Sequence, residues 1–112
     1  MIRNLTRNTV LAEKFTLCAS SLSKAVGLMF SFRPRTLVFV FNNPIRPSLH
    51  MLFVFFPIDV VCLDALKRVV AVKEKFRPFT FFGSNVLCNY IIELPAGTIK
   101  KSRTMIADNI FF

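Results

Sequence analysis

Polar and apolar positions along this chain repeat mostly with the period of strands. Residues 2–7 (IRNLTR) alternate weakly and predict an edge strand. Residues 10–19 alternate better. Leu11, Glu13, Phe15, Leu17 and Ala19 fall on one side, and Val10, Ala12, Lys14, Thr16 and Cys18 on the other. That pattern predicts a strand, with a helix as the alternative. The period then lengthens. In residues 20–30 (SSLSKAVGLMF), Leu22, Ala25, Val26 and Met29 recur at helical spacing behind a capping Ser20 or Ser21. Gly27 sits near the C-terminal end of this short helix, where a left-handed residue is often needed. A basic turn follows at 31–35, and Pro34 prevents continuation. Residues 36–41 (TLVFVF) predict a strong strand. Residues 42–48 (NNPIRPS) predict a loop, from their asparagines and prolines.

Residues 49–64 (LHMLFVFFPIDVVCLD) are nearly continuously apolar. The run is short of the roughly 20 residues that a spanning helix needs. Asp59 inside it would cost about 2.5–3.5 kcal/mol on insertion scales. Phe53, Val54, Phe55, Phe56, Ile58, Val60 and Val61 are types that strands favour. Two strands, 49–56 and 58–64, are therefore expected, or one long bent strand. Pro57 marks the bend, because it has no amide to give a ladder. Apolarity without alternation predicts burial on both faces.

The remaining residues continue the pattern. Residues 65–67 read as a tight turn and 68–76 as a strand, so that 58–64 and 68–76 form a hairpin. Arg68, Val70, Val72 and Glu74 are expected on one face, with Val69, Ala71, Lys73 and Lys75 on the other. Residues 77–85 predict a loop, 86–94 a strand, and 95–103 a short helix with Pro95 near its first turn. The chain closes with a turn at Asp108-Asn109 and a last strand. These elements add up to a mainly β (β-rich α+β) fold. The expected architecture is a small curled or barrel-like, mostly antiparallel sheet with one or two short helices.

Composition narrows the class. At 112 residues the chain is expected to form one domain, 1–112, able to bury a core without disulfides or metal. A mean hydropathy of +0.54 fits a greasy core. The net charge of +9 suits polyanions, but the 15 cations are spread along the chain with no run longer than two. Cys18, Cys62 and Cys88 are far apart and form no metal or disulfide pattern. Free thiols fit a reducing, cytoplasmic setting. The first 15 residues carry charge every few positions and lack the apolar core of a signal peptide.

Few residues invite chemistry. Asp59, inside an apolar run, must be paired or hydrogen-bonded if buried. It is either an acid or ligand anchor, or an acceptor of backbone amides that locks the bend after Pro57. Glu93 is expected as an exposed carboxylate near the first turn of the following helix, with a ligand or acid role as the alternative. The lone His50 makes neither a triad nor a multi-histidine metal site. No phosphate-binding glycine loop is present. Arg33 and Arg35 with Phe30 and Phe32, and Lys73, Lys75 and Arg77 with Phe76 and Phe79, interleave bases and aromatics in a way that suits single-stranded nucleic acid.

Four segments in order resemble one family. AVGLMF (25–30) resembles a Gly-Leu-Met motif. HMLFVFFPIDVVCLD (50–64) resembles a central Met-containing strand followed by Pro-hydrophobic-Asp and a second Asp. RVV (68–70) resembles the strand after a hairpin. YIIELPAGTI (90–99) resembles a Glu-Leu-x-x-Gly segment, and Ile106-Ala107-Asp108 is similar to a Gly-Asp ending. Together they resemble the family called domain of unknown function 192, over about residues 10–112. The resemblance implies a small, barrel-like, mostly β domain without an established activity. It also suggests an archaeal-type member, since no export or lipid-anchor segment is seen. The chain departs from the family at two points. Ser31 stands where an Arg usually follows Gly-Leu-Met, leaving Arg33 or Arg35 as substitutes. Met51-Leu52-Phe53 replaces Met-x-Asn.

The resulting expectation is a non-enzymatic β domain that binds a small ligand or protein partner. Its candidate pocket comprises Gly27, Met29, Phe30, His50, Met51, Asp59 and Glu93. The second reading is nucleic-acid binding through Arg33, Arg35, Lys73, Lys75 and Arg77. The third is an enzyme using Asp59 or Glu93. No cofactor, metal or membrane span is expected.

Overall fold

The computed structural model describes residues 1–18, 36–45, 48–50, 57–77, 81–83 and 86–112, with only the backbone at 46–50 and 78–85 where these are included. The expected helix at 20–30, the turn at 31–35 and most of the strand at 49–56 lie outside the described residues. The strands are β1 (Ile2–Asn4), β2 (Thr9–Ala12), β3 (Thr16–Cys18), β4 (Leu37–Ile45), β5 (Ser48–His50), β6 (Ile58–Leu63), β7 (Val69–Phe76), β8 (Phe81–Gly83), β9 (Cys88–Pro95) and β10 (Ile110–Phe111). The one helix among the described residues, α1, is Thr98–Ser102.

A five-stranded sheet of order β3-β4-β9-β6-β7 forms the centre. Its pairs are antiparallel except β3 with β4. A three-stranded sheet of order β10-β1-β2 and a two-stranded sheet of β5 and β8 complete the strands. The hairpin expected from 58–64 and 68–76 is present as β6 and β7. All six β6 residues are buried, as apolarity without alternation predicts for a strand covered on both faces. Leu37, Phe39, Ile58, Val60, Cys62, Phe76 and Ile91 form the core on one face. Val38, Val61, Leu63, Ile92 and Leu94 line the other, packed with Ile2, Leu11, Ile99 and Ile110 from the small sheet and α1.

Several boundaries differ from the sequence expectation. Residues 2–7 are not one strand, because β1 ends at Asn4 and a turn leads into β2. The expected strand 10–19 is two strands in two sheets. A break at Glu13–Phe15 moves the buried parity from Leu11 to Cys18 and leaves Leu17 57% exposed. The expected loop 42–48 is largely strand. β4 continues to Ile45, with its ladder to β9 interrupted after Val40, so Asn42, Asn43 and Pro44 project as an exposed irregularity. The expected loop 77–85 contains β8, paired with β5. The closing turn is at Ile106-Ala107, and Asn109 is bridged to Arg68.

Two bulges explain why alternation fails along β7. Cys62 pairs with Ala71 but Leu63 with Val69, and Val60 pairs with Lys73 but Ile58 with Phe76. Each step adds a residue to β7. Val70 and Ala71 therefore both pack on one core, while Val69 and Val72 pack on the other. At the second bulge Lys75 takes a left-handed backbone (φ 51°).

Asp59 holds this second bulge. Its side chain is fully buried, and Oδ1 accepts the Lys75 amide at 2.9 Å. Oδ2 accepts the amides of Gly97 (3.1 Å) and Ile99 (2.8 Å). Gly97 is the N-cap of α1 and has no side chain to cap with, so the cap comes from a carboxylate 40 residues away. The φ of 95° at Gly97 requires glycine, although a Cβ would meet nothing within 4 Å. Pro95 does not begin the helix, as the sequence suggested. It ends β9, opposite Ile58.

A second buried polar group joins the small sheet to the chain after α1. Asp108 Oδ2 accepts from Asn4 Nδ2 (2.9 Å), the Met105 amide (2.9 Å) and Arg7 Nε (3.1 Å). Asn4 Nδ2 also donates to Thr104 Oγ1, which shares a hydrogen bond with Ser102 Oγ. Burial acts to raise the Asp108 carboxyl, but the bonds from Asn4, Met105 and Arg7 outweigh it and hold the group below its ordinary value of 3.8.

Ala107 precedes this aspartate with φ 79°, and its amide donates to the Val69 carbonyl at 2.8 Å. An L side chain at a left-handed position costs about 1–2 kcal/mol. Glycine relieves that strain but loosens the unfolded chain by about 0.4–1 kcal/mol. The Ala107→Gly variant is therefore expected to be more stable by about 0.5–1 kcal/mol in urea unfolding. A loss of stability would show that the alanine is unstrained.

Candidate functional site

Of the seven candidate pocket residues, only Asp59 and Glu93 have described side chains. Gly27, Met29, Phe30 and Met51 lie outside the described residues, as do Arg33 and Arg35. His50 is placed only by its backbone, opposite Phe81 in the β5–β8 pair. Lys73, Lys75 and Arg77 are exposed on and just after β7.

The sheet keeps the two carboxylates apart. Asp59 opposes Leu94, and its neighbour Val60 opposes Glu93. Successive strand residues point to opposite faces. Asp59 therefore shares the face of Val61, Leu63 and α1, whereas Glu93 lies between Leu37 and Val60 on the face of Phe39 and Ile91. They do not converge on one cleft. Asp59 is also fully engaged, with both oxygens bonded to backbone amides.

Glu93 corrects the sequence expectation. It is not an exposed carboxylate at a helix start but a mid-sheet residue, 7% exposed. The misreading came from Pro95, which resembled a helix start and is the last residue of β9. The apolar neighbours in YIIEL were the available signal of burial. Burial pushes the Glu93 carboxyl up to about 8. Its Oε2 is buried and has no hydrogen-bond partner among the described residues. At neutral pH the group is thus largely an uncharged acid, able both to donate and to accept.

Asp64 and the cysteines have structural roles. Asp64 Oδ1 accepts the amides of Leu66 and Arg68, and Oδ2 pairs with Arg68 Nε at 3.4 Å, which closes the β6–β7 turn. All three cysteines are buried and none is in a disulfide. A hydrogen bond to Cys88, aided by burial, pushes the Cys62 thiol up. Among the described residues no three His, Cys, Asp or Glu side chains group as metal ligands. No helix among them is long and apolar enough to cross a membrane.

The family model for domain of unknown function 192, described as "Uncharacterized ACR", matches residues 3–112. The chain belongs to this family. A UPF0127 protein of the archaeon Thermococcus sibiricus is 32% identical over 113 residues, covering 98% of this chain and 73% of the relative. Two crystal structures share the fold, each with a TM-score of 0.80. One is a protein of unknown function from Novosphingobium aromaticivorans, at 19% identity over 88% of this chain and 74% of that one. The other, from Sinorhizobium meliloti, is named "putative transcription regulator", at 20% identity over 87% of this chain and 79% of that one. The similarity at these identities is one of fold. The mostly β architecture and the archaeal kinship agree with the expectations drawn from the sequence.

The Glu93 carboxyl gives a pH signature. Its folded value of about 8 lies above the ordinary 4.5, so the folded state holds the proton more tightly. Its favourable contribution is complete below about pH 4.5 and is lost as pH rises through 8. The loss is on the order of 5 kcal/mol. Melting temperature measured from pH 5 to pH 8.5 is expected to fall more steeply in the native chain than in Glu93→Gln. Parallel profiles would show that Glu93 ionises in the fold as freely as in water.

Proposed function

We propose that this protein is a non-enzymatic small-ligand-binding β domain, with the Glu93 face of the central sheet as its binding side. The observation that carries this reading is the buried Oε2 of Glu93, which has no hydrogen-bond partner among the described residues. An unpaired buried polar atom costs about 1–3 kcal/mol, and a ligand that hydrogen-bonds it recovers that cost. With its carboxyl uncharged near neutral pH, Glu93 suits a neutral polar group such as an amide, an alcohol or a carbonyl. The separation of Asp59 and Glu93 onto opposite faces speaks against a paired-carboxylate enzyme. Three buried cysteines in no disulfide support a reducing, cytoplasmic setting.

A thermal-shift screen of neutral polar metabolites at about pH 6.5 tests this. At least one compound is expected to stabilise the native chain and Glu93→Gln, and to have little effect on Glu93→Leu. A compound class that stabilises Glu93→Leu as strongly as the native chain would remove Glu93 from the site. A screen without a stabilising compound would count against ligand binding altogether.

A further inference from the structure

Half of the carboxylates of this chain are withdrawn from its surface. Of the six carboxylates, Asp59, Glu93 and Asp108 are buried, leaving Glu13, Asp64 and Glu74 for the surface. Asp64 is already paired with Arg68. Among the described residues few carboxylates are thus left to offset the exposed positive side chains.

Three of them meet around one concavity. A cleft of about 520 Å³ lies between the end of β7 and the segment of α1 and its C-cap, lined by Lys75, Lys100 and Arg103 with Glu74, Ile99 and Met105. That volume is within the usual range for small-molecule sites. Among the described residues neither Lys75 nor Lys100 has an ion-pair partner. Like charges drawn to one concave surface raise the local concentration of anions.

The backbone under these cations is fixed. Asp59 Oδ1 holds the amide of Lys75 in its left-handed bulge, and Asp59 Oδ2 holds the first turn of the helix that carries Lys100. Arg103 ends that helix with φ 58°. Its amide bonds the Lys100 carbonyl at 3.2 Å, and its guanidinium reaches the Arg7 carbonyl at 3.4 Å. One buried carboxylate thus fixes the backbone beneath two of the cations that line the cleft. Preorganisation of this kind lowers the ordering cost of binding.

We propose that this cleft binds a small organic phosphate, with Lys75, Lys100 and Arg103 on the phosphate oxygens and the apolar part of the ligand against Met105. Three cations beside one carboxylate match the charge of a monoester, about −1.5 to −2 at neutral pH. Met105 is 55% exposed and offers an adaptable apolar contact. Among the described residues the lining contains no aromatic ring. A single-strand nucleic-acid track would combine stacking rings with a row of cations, so the cleft fits the small molecule better. This site is separate from the Glu93 face and does not depend on it.

The test is titration of the full chain at low salt with a nucleoside monophosphate, followed by backbone amide NMR. The matching nucleoside, inorganic phosphate and a short single-stranded oligonucleotide serve as further probes. Expected are shifts at Lys75, Lys100 and Thr104, binding by the monophosphate and inorganic phosphate, and none by the nucleoside. Affinity is expected to fall about tenfold or more in the Lys100→Ala, Arg103→Asn double variant, from two lost charge-assisted contacts. Asn tolerates the left-handed C-cap, so this variant keeps the fold. Lys14→Ala, which removes an exposed charge outside the cleft, is expected to leave affinity unchanged. Equal weakening by Lys14→Ala, absence of monophosphate binding, or binding by the oligonucleotide alone would overturn the proposal.

Discussion

The buried carboxylate of Asp59 is the contact on which the geometry of this domain depends. It sits on β6, the strand buried along its whole length, and it bonds no side chain among those described. Its partners are three backbone amides from two elements. One is the Lys75 amide, at a bulge where the β6–β7 register slips. The other two open a five-residue helix whose N-cap is a glycine. A helix that short has little stability of its own. Without a fixed anion at its first amides, nothing in residues 97–102 would supply the cap. Hydrogen bonds to a charged acceptor contribute roughly 1.5–3 kcal/mol each, and a buried amide left without one costs a similar amount. Asp59 therefore couples the edge of the sheet to the helix that covers one of its faces.

That coupling divides the sheet into two faces with different roles. On the Asp59 face, polar groups are satisfied: Asp59 by amides, and Asn4, Ser102, Thr104 and Asp108 by one another and by Arg7. On the other face, among the described residues, Glu93 is buried among apolar neighbours with one oxygen unpartnered. Structural polar groups are normally paired. The contrast makes Glu93 the better functional candidate, although Asp59 is the more conspicuous residue in the sequence.

The central hairpin was legible because Ile58–Leu63 is apolar apart from Asp59, without alternation, and a short turn follows it. Burial of Asp59 was legible for the same reason. Its partners were not, because a carboxylate that caps a helix 40 residues away leaves no local pattern. The bulges in β7 were hidden as well. Val69 to Lys75 alternates plausibly in sequence, and only the pairing with β6 shows that residues are inserted. Pro95 misled on Glu93, since a proline before Ala-Gly-Thr suits a helix start as well as a strand end. The break at Glu13–Phe15 was missed because an alternating pattern does not reveal when a chain leaves one sheet for another. Prolines at 44 and 47 suggested a loop, whereas β4 carries Pro44 at an irregular, exposed stretch of its ladder.

Amide hydrogen exchange at Lys75, Gly97 and Ile99 tests the central claim most directly, by comparing the native chain with Asp59→Asn. The side-chain amide of asparagine offers one acceptor and turns donors toward the remaining amides. The account predicts that all three amides are protected in the native chain and lose protection together in the variant, while Val61 and Ile92 in the sheet centre stay protected. Unchanged protection in the variant, or fast exchange at these amides in the native chain, would contradict it.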